Sequence, residues 1–71
     1  MKTINTCGQK HYSPLIPAMK AICQAEKGEK LEIIIDDAAA FSDLKEYLAE
    51  QHIGFREIYD GEQMTVQFTM I

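Results

Sequence analysis

The sequence contains little cysteine, glycine or proline and no long apolar run. Its two cysteines, Cys7 and Cys23, are too few for a disulfide framework, and their spacing matches no usual zinc-ligand pair. Four glycines and two prolines are typical of a folded chain rather than a disordered one. No apolar run approaches the ~20 residues that cross a membrane, and the first residues lack a signal-peptide core. We therefore expect one soluble, cytoplasmic domain over residues 1–71 with free thiols.

Positive charge is also scarce. Seven Lys and Arg residues against eleven Asp and Glu residues give a net charge of −4. Such a surface repels nucleic-acid phosphates and anionic lipids, so we expect a protein partner and neither a nucleic acid nor a membrane. Lys10 and Lys20 form at most a small basic pair, sufficient for one anion.

The first half of the chain is predicted to form a strand, a helix and a second strand. Residues 1–7 alternate weakly as a strand that Gly8 ends. Ser13 is a suitable helix cap and Pro14 suits the first helical position, although Pro17 predicts an irregular first turn or a later cap. The predicted apolar face of this helix consists of Leu15, Ile16, Met19, Ile22 and Cys23. The helix is predicted to stop at Gly28, before a central strand over residues 31–35.

A second helix is predicted to follow this central strand. Asp36 and Asp37 are both suitable caps for it, and caps are a simpler interpretation of the two acids than acid–base chemistry. The helix is predicted to run through Gln51, with Gly54 in the left-handed position that closes it. Its predicted apolar face consists of Ala40, Phe41, Leu44, Tyr47, Leu48 and Gln51.

The end of the chain completes the predicted fold. Residues 55–59 and 64–70 read as strands joined through Asp60-Gly61, a dipeptide favoured in hairpin turns. The last strand alternates apolar and polar residues, so one sheet face is covered and both helices lie on it. The predicted fold class is an α/β two-layer sandwich, β-α-β-α-β-β, with a four-stranded mixed sheet and a parallel first pair of strands.

The predicted site is the turn over residues 7–17, CGQKHYSPLIP. Unpaired N–H groups and the positive end of a helix dipole gather at such a turn and stabilise anions and thiolates. The predicted binding residues are Gly8, Lys10, Tyr12 and Pro14. Tyr12 is the predicted contact anchor for a partner, because an aromatic residue in a turn is commonly exposed.

The stretch from Gly8 to Ile16, together with the order of the elements and the length, resembles the small sulfur-carrier family of TusA and SirA. That family has a Gly-x-x-Cys-Pro-x-Pro motif at the start of its first helix. Gly8 matches the motif glycine and Pro14 its last proline, and the segment KGEKLEIIIDD resembles the family's second strand. The resemblance covers essentially the whole chain.

The departure from the motif falls on its reactive residue. His11 stands where the family has its sulfur-carrying cysteine, and Tyr12 where it has the first proline. In the family that cysteine accepts sulfur as a persulfide and passes it to a partner, which requires a thiolate. The resemblance therefore implies a degenerate member without the motif cysteine, and leaves open whether it is an enzyme. It implies no cofactor, and a partner such as a cysteine desulfurase or a sulfur acceptor.

Three functions stay open at this point. The first is a non-catalytic or atypical protein-binding member of the family, linked to sulfur relay or redox metabolism. The second is an active persulfide carrier that uses Cys7, with His11 as a nearby base. The third is an RNA-binding or regulatory module of similar fold, which rests on fold analogy with the C-terminal domain of a translation initiation factor and conflicts with the acidic charge.

Both cysteines also have simpler interpretations. Cys7 fits a small buried residue at the end of a strand, and Cys23 fits core packing on the first helix. The helix places them at opposite ends of the first strand, too far apart for a disulfide. A metal site from Cys7 and His11 would have only two ligands, so no metal is expected.

Overall fold

The computed structural model of the protein describes residues 1–8 and 12–71. The elements in chain order are β1 (Lys2–Asn5), α1 (Leu15–Gln24), β2 (Lys30–Ile35), α2 (Ala38–Glu50), β3 (Phe55–Asp60) and β4 (Gln63–Thr69). The strands form one sheet in the order β1-β2-β4-β3, with β1 and β2 parallel and the other pairs antiparallel. The predicted β-α-β-α-β-β fold with a mixed four-stranded sheet is confirmed. Within the described residues, neither helix is long and apolar enough to cross a membrane.

One face of the sheet carries the hydrophobic core. Alternate residues of a strand point to the same face, and the residues of β2 and β4 that face the helices are buried, apart from Met64, which is partly buried. The core cluster consists of Ala18, Ile22, Leu31, Ile33, Ile35, Ala40, Phe41, Leu44, Leu48, Ile53, Val66 and Phe68. On the opposite face Gln67 Nε2 and Thr3 Oγ1 donate to the Glu32 carboxylate, at 2.7 and 3.2 Å. The predicted covered face and polar face are both present.

Helix α1 begins later than Ser13, as the position of Pro17 indicated. Ser13 Oγ accepts from the Leu15 N–H at 3.2 Å, and Leu15 is the first helical residue. Pro17 is then the third residue of the helix, where an N–H has no intrahelical acceptor, so its missing donor costs nothing. Pro14 precedes the helix, and its predicted place as the first helical residue is wrong by one position.

The buried face of α1 is only partly the one predicted, since Ile22 is buried and Leu15 and Met19 pack against the core as expected. Ala18, Ala21 and Ile22 are buried, whereas Ile16 is 57% exposed and Cys23 is exposed. The assignment of Ile16 and Cys23 to the core is therefore wrong. Small side chains let a helix pack close to its neighbours, so the alanine-rich side of α1 faces the core and two larger apolar residues stay outside.

Gly28 does not end α1, which stops four residues earlier at Gln24. Gly28 has a φ of 86° and lies in a turn in which the Glu29 N–H donates to the Glu26 carbonyl at 3.0 Å. Its own N–H donates to the Met70 carbonyl at 2.8 Å. The prediction was wrong because a helix end and a tight turn both use the positive φ that glycine provides.

Helix α2 is capped at its start by Asp37, one of the two predicted cap residues. Asp37 Oδ1 accepts from the N–H groups of Ala39 and Ala40, at 2.9 and 3.1 Å. Along the predicted apolar face, Tyr47 is half-buried and Gln51 is exposed, and the other four residues are buried. Gln51 is therefore not part of the core.

Helix α2 ends in a Schellman motif, with His52 and not Gly54 in the left-handed position. His52 has a φ of 60°, and its N–H donates to the Ala49 carbonyl at 3.1 Å. The Ile53 N–H donates to the Leu48 carbonyl at 2.9 Å, and both of these side chains are buried. A Schellman motif commonly includes an apolar contact between the two positions that Leu48 and Ile53 occupy. The burial of these two side chains determines where the chain turns, so the left-handed residue is His52, two positions before Gly54.

Because a side chain is strained at positive φ, we expect His52→Gly to raise the free energy of unfolding by about 0.5–1 kcal/mol. His52→Ala keeps a Cβ in the left-handed position and is expected to give no gain. Urea titration followed by circular dichroism measures both variants. A His52→Gly variant no more stable than His52→Ala would contradict the role of backbone strain at this residue.

The hairpin between β3 and β4 is closed by the pair Asp60 and Gln63. The two loop residues are Gly61, which has a φ of 63°, and Glu62. The predicted Asp60-Gly61 turn is therefore displaced by one residue. The glycine still provides the positive φ at the first loop position, as in a type II′ turn.

Candidate functional site

The carboxyl end of β1 is fastened to β2 before the predicted site begins. Thr6 is fully buried, and its Oγ1 and backbone N–H both donate to the Ile34 carbonyl, at 2.7 and 2.9 Å. The next N–H, of Cys7, donates to Asn5 Oδ1 at 2.9 Å. These contacts turn the chain out of the sheet at a defined point.

The loop then contacts the junction between β2 and α2. Gly8 has a φ of 81°, and its N–H donates to Asp36 Oδ2 at 3.2 Å. Asp36 and the helix cap Asp37 thus both serve as hydrogen-bond acceptors for backbone N–H groups. This agrees with a structural role for the two acids rather than acid–base chemistry.

The thiol of Cys7 is half-buried at this junction. Burial raises the pKa of the Cys7 thiol, and the negative charge of Asp36 raises it further. The hypothesis that a helix dipole lowers the pKa of Cys7 predicted the opposite direction. A raised thiol pKa leaves less thiolate at neutral pH, and the thiolate is the nucleophile in sulfur chemistry.

Asp36→Asn is expected to lower the pKa of the Cys7 thiol, because it removes the nearby negative charge. The thiolate fraction at neutral pH then rises, so alkylation of Cys7 by iodoacetamide should be faster and its pH profile should move to lower pH. A Cys23→Ser background isolates the signal of Cys7, and Asp43→Asn on the exposed side of α2 is the matched control. Equal rates for the two Asn variants would contradict an effect of Asp36 on Cys7.

The start of α1 presents an apolar surface beside the predicted turn. Tyr12 and Ile16 are 48% and 57% exposed, and together with Pro17 and Lys20 they line a groove of ≈ 460 Å³. We call this the α1 groove. An exposed tyrosine and isoleucine next to a lysine suit a contact with another protein, since aromatic and large apolar residues dominate binding energies at interfaces.

The predicted binding residues that the structure describes differ in location and in exposure. Tyr12 lies on the α1 groove and Gly8 is exposed at the β2–α2 junction, whereas Pro14 is buried and supports the turn from inside. Lys10 and His11 lie outside the described residues. The other three residues of the groove, Ile16, Pro17 and Lys20, were not among the predicted binding residues.

A pattern in the sequence does point to the α1 groove. Ile16 and Lys20 are four residues apart, which places them on one side of α1, and Tyr12 precedes the helix by three residues. The alanines at positions 18 and 21 mark the other, packed side. The signal was obscured because Ile16 is apolar and also fits the helical spacing of the predicted apolar face, so it was assigned to the core.

Over residues 1–8 and 12–71, no group of three or more His, Cys, Asp or Glu side chains is placed to hold a metal ion. Cys7 and Cys23 are both free thiols.

Three comparisons with known proteins relate this chain to sulfur-carrier and SirA-like proteins. A family model for sulfurtransferase TusA matches residues 2–71. The "Putative sulfur carrier protein" of Archaeoglobus fulgidus is 36% identical over 64 residues, which cover 86% of this chain and 83% of that protein. The crystal structure of a SirA-like protein from Desulfitobacterium hafniense has a TM-score of 0.76 at 22% identity, covering 97% of this chain and 96% of the other, and shows the same fold.

Proposed function

Because this chain belongs to the sulfurtransferase TusA family, we propose that it is a protein-binding member that acts in sulfur relay or related redox metabolism without carrying sulfur itself. The observation that carries the proposal is the α1 groove, an exposed apolar surface that begins directly after the motif turn. A family member with this groove keeps a means of contact with a protein partner even where its motif lacks the cysteine.

The residues at the motif turn support a role without sulfur transfer. His11 occupies the position of the family's sulfur-carrying cysteine, and an imidazole cannot form a persulfide. Cys7 is the cysteine next to the motif, and its raised pKa keeps it mainly as the thiol at neutral pH. Sulfur transfer requires a thiolate nucleophile, so Cys7 is a poor substitute for the motif cysteine.

The proposed partner is a protein of sulfur metabolism, such as a cysteine desulfurase or a sulfur acceptor. Tyr12 and Ile16 provide two apolar anchors, and Lys20 provides a positive charge at the border of the groove. A complementary surface would present an apolar pocket with a carboxylate beside it. Binding of this kind would place the partner against Tyr12, which follows His11 in the sequence.

Ile16→Asp is expected to weaken binding to this partner at least about tenfold, because a charge would replace an apolar anchor and tenfold corresponds to about 1.4 kcal/mol. Lys20→Glu is expected to weaken it less, since a charge at the border of an interface contributes less than a central anchor. The measurement is calorimetric titration of a purified cysteine desulfurase, and of a sulfur acceptor, from the same organism.

The matched control is Ile71→Asp, which places the same charge on another exposed isoleucine, 67% exposed and beyond the end of β4. Both isoleucines are exposed, so neither variant is expected to unfold the chain, and circular dichroism checks this. If Ile16→Asp and Ile71→Asp bind equally well, the partner contacts a different surface. No binding to either class of partner would overturn the proposal.

The unaltered chain is expected to take up no sulfur on Cys7. Incubation with a cysteine desulfurase and free cysteine, followed by intact mass measurement and peptide mapping, tests this directly. A family member with the complete motif serves as the positive control for loading. A sulfur atom on Cys7 that is lost in Cys7→Ser would overturn the non-carrying function and support the active carrier that uses Cys7.

A further inference from the structure

Strand β3 forms one end of the sheet, and its outer side has no neighbouring strand within the part of the chain that the structure describes. It is six residues long, and every residue from Arg56 to Asp60 is exposed. Two large apolar residues stand next to each other on it, Ile58 at 39% and Tyr59 at 61% exposure. A long exposed edge with apolar side chains is a template for pairing with another strand.

We propose that β3 pairs with β3 of a second copy of this chain, in an antiparallel arrangement with the twofold axis at Ile58. The two sheets then form one continuous sheet, and the helices of both copies lie on the same face. An interface of this kind is isologous and closed, so assembly stops at the dimer.

The hairpin determines which backbone groups of β3 are available for this pairing. Asp60 and Gln63 close a two-residue loop, and in such a hairpin the closing pair is hydrogen-bonded, with bonded and non-bonded pairs alternating along the strands. Ile58, two residues earlier, therefore directs its N–H and C=O groups toward β4. Those of Glu57 and Tyr59 point outward, away from the sheet.

Charge selects the register among the alternatives. With the axis at Ile58, each Arg56 stands opposite Asp60 of the second copy, which is a favourable cross-strand pair. An axis at Arg56 or at Glu57 would place like charges directly opposite each other, which is destabilising. An axis at Tyr59 would place the apolar side chain of Ile58 against the carboxylate of Asp60.

The backbone groups fit the same register. Glu57 stands opposite Tyr59 of the second copy, and these are the residues whose N–H and C=O groups point outward. Two such pairs, related by the axis, exchange two hydrogen bonds each. Ile58 faces its own copy in a pair without backbone hydrogen bonds, where side chains approach most closely, so its exposed apolar surface becomes covered.

The dimer leaves the α1 groove free. Strands β1 and β3 are the two opposite edges of the sheet, and α1 packs beside β1 and α2. The proposed dimer therefore presents two separate α1 grooves. An edge contact of one strand from each copy is smaller than a standard protein interface, so we expect a reversible equilibrium between monomer and dimer.

Sedimentation equilibrium over a range of concentrations tests the proposal. Asp60→Arg and Arg56→Asp are each expected to raise the dissociation constant about tenfold or more, because each places like charges opposite each other. The double variant Arg56→Asp with Asp60→Arg restores opposite charges and is expected to return the constant close to that of the unaltered chain. Glu62→Arg, with the same charge change in the exposed loop, is the matched control and is expected to have no effect.

Amide hydrogen exchange gives an independent measurement on the same samples. The N–H groups of Glu57 and Tyr59 are expected to exchange more slowly as the chain concentration rises. A chain that stays monomeric up to about 1 mM would overturn the proposal, because a dissociation constant above that value corresponds to a dissociation free energy below about 4 kcal/mol. So would a dimer that is insensitive to both single charge reversals, or one that the double variant does not restore.

Discussion

The His11→Cys variant is expected to take up one sulfur atom per chain from a loaded cysteine desulfurase, whereas the unaltered chain takes up none. On the proposed alignment of His11 with the motif cysteine, the substitution returns the family's reactive residue to its place between Gly8 and Pro14. A cysteine thiolate is the nucleophile that accepts sulfur as a persulfide. The chain would thereby gain a reaction that its present motif does not support.

The expected reaction is an exchange between two sulfur centres. The introduced thiolate attacks the outer sulfur of the desulfurase cysteine persulfide, a new S–S bond forms, and the desulfurase cysteine leaves as a thiolate. Intact mass and peptide mapping measure the added sulfur. Combining His11→Cys with Cys7→Ser is expected to retain the uptake, which separates the two cysteine positions.

His11→Ser is the control for the substitution itself, since a hydroxyl of similar size carries no sulfur. A His11→Cys variant that binds the desulfurase and yet stays unmodified would contradict the alignment of position 11 with the motif cysteine. Uptake on Cys7 in every variant would instead support the active-carrier alternative.

Phe41→Ala is expected to lower the free energy of unfolding by about 3–5 kcal/mol, the range for removing a buried phenylalanine. Phe41 is 2% exposed in the core and also contacts two residues at its border. The ring of Tyr59 stands edge-on to it with centroids 5.9 Å apart, and Lys45 Nζ lies 4.8 Å from its centroid. Truncation leaves a cavity and removes both contacts.

A loss of this size is a large part of the stability expected for a 71-residue domain, because a single small core leaves only a few kcal/mol. Phe41→Leu keeps most of the apolar volume, should lose much less, and stays folded for comparison. Urea titration followed by circular dichroism is suitable, since the chain has no tryptophan. A loss below about 1 kcal/mol for Phe41→Ala, the typical effect of an ordinary substitution, would contradict the central place of this ring.

Tyr59 is exposed, and hydrogen bonds next to Phe41 fix the position of its side chain. Tyr59 Oη donates to Glu57, and Lys45 Nζ donates to the same carboxylate at 3.0 Å. The hydrogen bond from Tyr59, followed by that from Lys45, lowers the pKa of Glu57. The contact between Lys45 and Glu57 connects α2 to β3 over residues that are 12 positions apart in the sequence.

Local patterns in the sequence were sufficient for most of the fold. The run over residues 31–35 identifies the central strand, because it is short and rich in β-branched residues, and period-two alternation identifies β4. The start of α2 could be predicted because the N–H groups that donate to Asp37, those of Ala39 and Ala40, lie within three residues of it. Element ends were less predictable where several signals compete, as Gly28 and Gly54 demonstrate.

The sequence predicts where a site lies, and the properties of the surface beside it were harder to predict. The glycine, serine and proline before α1 indicate a turn, and the alignment of His11 with the motif cysteine rests on the motif alone. The surface of the α1 groove was missed, because apolar character was taken as a sign of burial. A helix buries the side that fits its neighbours, and here that side carries the alanines.

The sequence by itself determined the order of the elements, the fold class and the family resemblance, on which the proposed alignment of His11 with the motif cysteine rests. Those properties depend on residues that are neighbours along the chain. Only the tertiary structure decided that Cys7 has a raised pKa, that Ile16 is exposed and that β3 is an outer strand of the sheet. Burial and electrostatic interaction depend on distance in space, and Asp36 reaches the turn at Gly8 from 28 residues further along the chain.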